Sequence, residues 1–123
     1  MKISKKAQYG LRAMVYLAKA KKTCSLRKIS SAEKIPFDFL EKIMSQLEKA
    51  GLVKSKKGTG GGYFLARKSN KISAGQIVSL LEGTKPVNCS CCQRARRCMT
   101  KSVWRKVELS LHKALNINLS ELI

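Results

Sequence analysis

Acidic side chains are scarce in this chain. Seven Asp and Glu stand against twenty-six Lys and Arg in 123 residues, a formal charge of +19. An excess of that size repels itself unless a polyanion balances it, and a phosphate backbone is the usual balance. Histidine is scarcer still, with His112 alone. Without a His/Asp set, general acid–base chemistry has few groups to work with, which argues against an enzyme. No apolar run approaches the ~20 residues a bilayer span needs. The N-terminus also lacks a signal peptide's apolar run and cleavage site, so the expected location is cytoplasmic, with no membrane partner. Internal repeats and low-complexity tracts are missing too. What is present is 44% hydrophobic residues, enough for one compact core.

Apolar residues at Ala7, Leu11, Met14, Val15 and Ala18 predict a helix from about Ser4 that fades at Lys19–Lys22. Ser25 can cap a second, short helix with Leu26, Ile29 and Ala32 inward, and Ile35–Pro36 breaks it. A third helix, from about Asp38 to Ala50, has Leu40, Ile43, Met44 and Leu47 as its buried stripe and Gly51 as left-handed cap. Two β-prone stretches, Leu52–Lys57 and Tyr63–Ala66, flank Gly58–Gly62 and predict a hairpin. Ser73 and Gln76 form a capping box for a fourth helix, with Ile72 and Ile77 as hydrophobic staple and Gly83 as its end. A last helix spans about Thr100 to Leu115. Val103, Trp104, Val107, Leu111, Ala114 and Leu115 line one side of it, and Leu109 lies off that stripe. Apolar residues on two sides favour a dimerisation helix over one that only covers its own core.

Three helices followed by a basic hairpin is the order of a winged helix-turn-helix, whose third helix enters the major groove of double-stranded DNA. The expected class is mainly α with a small β-hairpin wing. The expected divisions are a DNA-binding domain over 1–84, a cysteine-rich sensor loop over 85–98, and a dimerisation helix with tail over 99–123. On the third helix Asp38, Glu41, Lys42, Ser45 and Lys49 face outward. Glu41 suits a cytosine amino group, Ser45 several base edges, and the lysines phosphate or guanine. Lys54, Lys56 and Lys57 lead into the hairpin tip of Gly58, Thr59 and Gly60, where a backbone without Cβ atoms approaches DNA closely. Lys2, Lys5, Lys6 and Arg12 add phosphate contacts that fix register. The glycine run is no P-loop, since it lacks the Lys-Ser/Thr ending and a following helix. The rival class is a nucleic-acid module that senses nothing.

Of five cysteines, Cys24 stands alone and reads as a small buried residue. Cys89, Cys91, Cys92 and Cys98 fall within ten residues, with Arg94, Arg96, Arg97 and Lys101 around them. Thiolates at this density suit an iron–sulfur cluster or zinc, and the positive charge favours both metal binding and oxidation. A cluster, a zinc site and a metal-free thiol switch all remain open. A thioredoxin-like reading of Cys89–Cys92 fails for want of a βαβ context.

The stretches Met1–Gly10, Phe39–Ile43, Gly51–Val53, Gly58–Tyr63, Cys98–Trp104 and Asn118–Leu122 resemble the IscR-type, or Rrf-two, family of bacterial regulators. The resemblance covers nearly the whole chain, and the wing and the Cys98–Trp104 segment are its specific parts. It implies a homodimer whose long last helix crosses its partner, and promoter binding at an imperfect palindrome. Glu41, Lys57 and Gly58 match positions used for DNA contact. Asp38 stands where the family often has a small polar residue. Cluster-binding members use three cysteines and a variable fourth ligand. Cys92 and Cys98 match the last two, and Cys89 the first with a shortened gap. The cluster implied is 2Fe–2S or 4Fe–4S, with zinc as the alternative. Where relatives carry a His or an acid as fourth ligand, this chain has Lys101 and Gln8, and His112 lies roughly 20 Å along the helix from Cys98. Cys91, a small molecule or the partner subunit is left for that place.

Overall fold

The computed structural model describes residues 2–82 and 99–123. The expected helix end at Gly83 and the segment with Cys89, Cys91, Cys92 and Cys98 lie outside them.

Helix α1 spans Lys5–Ala20, and its N-cap Ser4 accepts a hydrogen bond from the Ala7 N–H. Its buried face is Ala7, Gly10, Ala13, Met14, Leu17 and Ala18. Leu11 and Val15, expected inward, are only half-buried. Small residues decide the rotation. At Gly10 an added Cβ would lie 2.1 Å from Leu81 Cδ1, so its missing side chain is what lets the fourth helix pack so closely. Reading by hydrophobicity passes over such a position.

Helix α2 (Leu26–Glu33) is capped by Ser25, as expected, and buries Ile29. Ala32 is exposed, contrary to expectation. Its inward place is taken by Ile35, 2% exposed, which follows a left-handed Lys34. Helix α3 spans Phe37–Lys49 and buries Leu40, Ile43, Met44 and Leu47 completely. Each contributes about 1.5–3 kcal/mol by burial. The chain leaves α3 through a Schellman motif: the Leu52 N–H donates to Leu47 O at 3.0 Å and the Gly51 N–H to Glu48 O at 3.0 Å. The turn requires a left-handed residue, and Gly51 supplies it at φ +80°.

Strands β1 (Val53–Lys56) and β2 (Gly62–Leu65) pair antiparallel, with Val53 opposite Leu65 and Lys56 opposite Gly62. The sheet gains a third member not visible in the sequence. Cys24 bridges to Tyr63, its N–H donating to Tyr63 O at 2.9 Å and its carbonyl accepting from the Tyr63 N–H at 2.8 Å. Cys24 is buried at 2% exposure, in agreement with its sequence reading.

Helix α4 (Ala74–Glu82) opens on the expected box: Ser73 N–H donates to Gln76 Oε1 at 3.0 Å, and Gln76 N–H to Ser73 Oγ at 3.2 Å. Ile72 and Ile77 are both fully buried. Helix α5 spans Lys101–Ala114 and has no buried residue. Beyond it the tail returns to the first helices. The Ala74 N–H donates to Ile117 O at 2.7 Å, the Gly75 N–H to Leu115 O at 2.9 Å and the Leu119 N–H to Ile72 O at 2.9 Å. Two free first-turn donors of α4 are thereby satisfied, and Leu119 is fully buried in the core.

Candidate nucleic-acid interface

The apolar stripe of α3 faces the core, so its polar side chains share the opposite face. Asp38, Glu41 and Lys42 are exposed there and Ser45 is half-buried. Glu41, Lys42, Ser45, Gln46 and Lys49 line an open depression of about 540 Å³, and Lys6 of α1 closes one side of it. Gln46 was missed from sequence. It stands four residues after Lys42, which places it on the same face, and its amide has the donor and acceptor pair that suits adenine. Asp38 lies in the first turn of α3, whose N-cap Pro36 offers no side-chain cap. A carboxylate there stabilises the positive end of the helix dipole.

At the hairpin tip Lys56, Lys57, Gly58, Thr59 and Gly60 are all exposed, with Gly58 and Gly60 left-handed at φ +94° and +75°. Tyr63 joins wing to helix. Burial, then the carboxylates of Glu48 and Glu41, push its phenol pKa above the usual 10.0. It therefore stays protonated at neutral pH and keeps an O–H to donate. The β2 side chain lies within the field of two α3 carboxylates.

Lys2 is exposed and leads into a latch. The N–H of Ser4 donates to Glu82 Oε2 at 3.0 Å, and the Ser4 hydroxyl donates to the same oxygen. The latch ties the end of α4 to the start of α1. Arg12, expected on phosphate, is engaged elsewhere. Its guanidinium lies 3.5 Å from the Glu33 carboxylate, bonds the Glu33 carbonyl and sits 5.7 Å from the Tyr9 ring centre. It ties α1 to the end of α2.

Cys89, Cys91, Cys92 and Cys98 lie outside the described residues. Gln8, at one of the fourth-ligand positions, donates its amide to Ile3 O at 2.8 Å. Lys101 is exposed at the start of α5 and His112 is exposed near its end. Among the described residues no group of three His, Cys, Asp or Glu side chains is placed to hold a metal. No helix among them is long and apolar enough to cross a membrane.

Residues 3–123 match the Rrf2 family, described as an iron-dependent transcriptional regulator. The chain belongs to the Rrf2 family. The Rrf2 protein of Nitratidesulfovibrio vulgaris is 32% identical over 123 residues, covering 94% of this chain and 82% of that protein. The IscR regulator of Vibrio atlanticus is 35% identical over 130 residues, covering 100% of this chain and 75% of that one. Among solved structures, CymR, the global cysteine regulator of B. subtilis, superposes with TM-score 0.81 at 35% identity, over 99% of this chain and 95% of that one. T. potens IscR gives 0.82 at 37% identity, over 99% and 85%. This Rrf2 chain is therefore a DNA-binding transcriptional regulator with a winged-helix fold, and its relatives are regulators rather than enzymes.

Proposed function

We propose that this Rrf2 regulator binds an imperfectly palindromic promoter as a homodimer, and that an iron–sulfur cluster in the cysteine segment sets its affinity. The Ser4–Glu82 latch carries the reading. It fastens the end of α4, which precedes the segment in sequence, to the start of α1 near Lys2, and α5 follows the segment in sequence. A change in the segment thus acts on the DNA-facing side and on the dimer helix together, and half-site spacing depends on both.

The donor chemistry fits a cluster: four soft thiols in ten residues, with arginines that offset the charge of ligated thiolates. Cys89, Cys92 and Cys98 would hold it, with Cys91 as candidate fourth ligand. When bound, it supplies a tie among these thiols that responds to oxidant, nitric oxide or iron supply. The remaining work belongs to the chain's own residues: Glu82 holds Ser4, α5 holds the partner, and α3 and the wing hold DNA.

On the DNA side, Glu41, Lys42, Ser45 and Gln46 read base edges, Asp38 orders the start of their helix, and Lys2, Lys56 and Lys57 take phosphates beside Gly58, Thr59 and Gly60. Lys57→Gln should weaken binding about equally on matched and mismatched duplexes. It should reduce the slope of log affinity against log salt by about 0.9, the share of one phosphate contact. Fluorescence anisotropy across a salt series measures this, and an unchanged slope removes Lys57 from the interface.

Glu82→Ala tests the coupling. The expected variant keeps the absorption of the wild-type protein, while its ratio of promoter affinities with and without the cluster collapses towards one. A ratio as large as wild type's would contradict the role given to the latch. A metal-free thiol switch is the second reading, favoured by the 33% identity to Staphylococcus aureus CymR, which is solved in an oxidized form. It predicts affinity that follows thiol oxidation in protein free of iron and zinc.

A further inference from the structure

On the far side of the hairpin from its tip lies a groove of about 610 Å³ that the DNA-binding account leaves unused. Four cations stand around it: Lys21 and Lys22 beyond the end of α1, and Arg67 and Lys68 beyond β2. All four are exposed, none forms a salt bridge among the described residues, and no carboxylate lines the groove. Its floor is apolar, made by Leu17 and Ala18 together with the half-buried Phe64 and Leu65. Thr23, Ser69 and Ser120 also line it.

A cationic rim over an apolar floor selects a particular chemistry. A bare inorganic anion leaves the floor uncovered, and a neutral apolar molecule leaves the four charges unbalanced. We infer that this groove binds a small organic anion, with its carboxylate, phosphate or sulfonate between the Lys22 and Lys68 sides and an aromatic or aliphatic body on Phe64 and Leu65. The DNA backbone is a poorer occupant. Leu65 lies five residues along the hairpin from Gly60, on the order of 15 Å from the tip that reaches DNA. The position also gives the site a route to the wing and the tail. Thr23 precedes Cys24, which is bridged to Tyr63, and Ser120 follows the buried Leu119.

Anilinonaphthalene sulfonate carries both features, and neutral phenylnaphthylamine shares its rings without the charge. Titrated into the full chain, the sulfonate should bind saturably at one site per chain, with amide shifts centred on residues 21–23 and 67–70. In Lys22→Gln/Arg67→Gln/Lys68→Gln, three exposed positions whose replacement should leave the melting temperature unchanged, its affinity should fall about tenfold, because three exposed charge contacts with the sulfonate are lost together. Phenylnaphthylamine should bind weakly to both proteins. Shifts confined to α5, equal binding of the two probes, or a triple variant that binds as before would each overturn the assignment. Displacement of the sulfonate by a DNA duplex of unrelated sequence would also overturn it, by making the groove a phosphate-backbone contact.

Discussion

Val107→Glu/Leu111→Glu should run as a monomer, keep its fold, and lose promoter affinity by about 100-fold or more. The structural reason is that no residue of α5 is buried among the described residues. Val103 is 50% exposed, Trp104 38% and Leu109 60%. Val107, Leu111 and Ala114 line an apolar depression of about 490 Å³ with Lys106 and Ser110. A 14-residue helix with an uncovered apolar stripe is marginal in water by itself. The proposed homodimer would cover it with a second copy of α5, which would also give a palindrome reader its symmetry. Leu115 differs from the others, being half-buried against the core, so it serves the fold. Two carboxylates at the centre of the stripe would be buried without partners in a dimer, and a monomer tolerates them. Joining two half-site contacts in one dimer raises affinity by about 10²–10⁴ over one alone. Sedimentation and anisotropy on the same preparation check both halves of the expectation. A wild-type chain that is already monomeric at micromolar concentration would contradict it.

Gly62→Ala should be the most damaging single change in the wing. At Gly62 φ is +149°, and an added Cβ would lie 2.1 Å from the Cys24 carbonyl oxygen. Both obstacles are backbone, so no side-chain rotation relieves them. The methyl group would part β2 from Cys24 and break the two hydrogen bonds of the Cys24–Tyr63 bridge, each worth about 1 kcal/mol net. Strain at a glycine-only conformation adds about 1–3 kcal/mol. The expected loss of about 3–5 kcal/mol is large against the ~5–15 kcal/mol that holds a domain folded. Gly10→Ala is the contrast. Its nearest obstacle is the tip of the Leu81 side chain, which can turn aside, so the loss should be about 1–3 kcal/mol. Urea denaturation ranks the two. A Gly62→Ala protein as stable as wild type would mean that the bridge contributes little.

The sequence signals that held are local ones. Ser25, the Ser73–Gln76 box and Gly51 each act within four or five residues, and each sits where the sequence places it. The α3 stripe was legible because four large apolar side chains mark the period. Contacts between distant residues leave no such period. Ser4 and Glu82 are 78 residues apart, and neither residue type announces the other. The same holds for Arg12 with Glu33, for the Cys24–Tyr63 bridge, and for the tail that returns to bury Leu119. In α1 the inward face includes Gly10 and Ala13 beside Met14 and Leu17, and a search for large apolar residues passes over the two small ones and adds Leu11 and Val15. For the interface, the sequence yields the exposed face of α3 and the wing but passes over Gln46. It also leaves Arg12 on phosphate, because a free and an ion-paired arginine look alike in sequence.

The proposed control of DNA binding by an iron–sulfur cluster in the cysteine segment is tested by an anaerobic ultraviolet–visible spectrum of freshly purified protein. Iron, sulfide and zinc are determined and promoter affinity is measured on the same sample. The expected spectrum has broad sulfur-to-iron absorption that bleaches in air or nitric oxide, with promoter affinity changing by about tenfold as it does. Colourless protein that still lacks iron and sulfide after attempted reconstitution would contradict it. Zinc in that sample would indicate a structural site, and no metal a thiol switch.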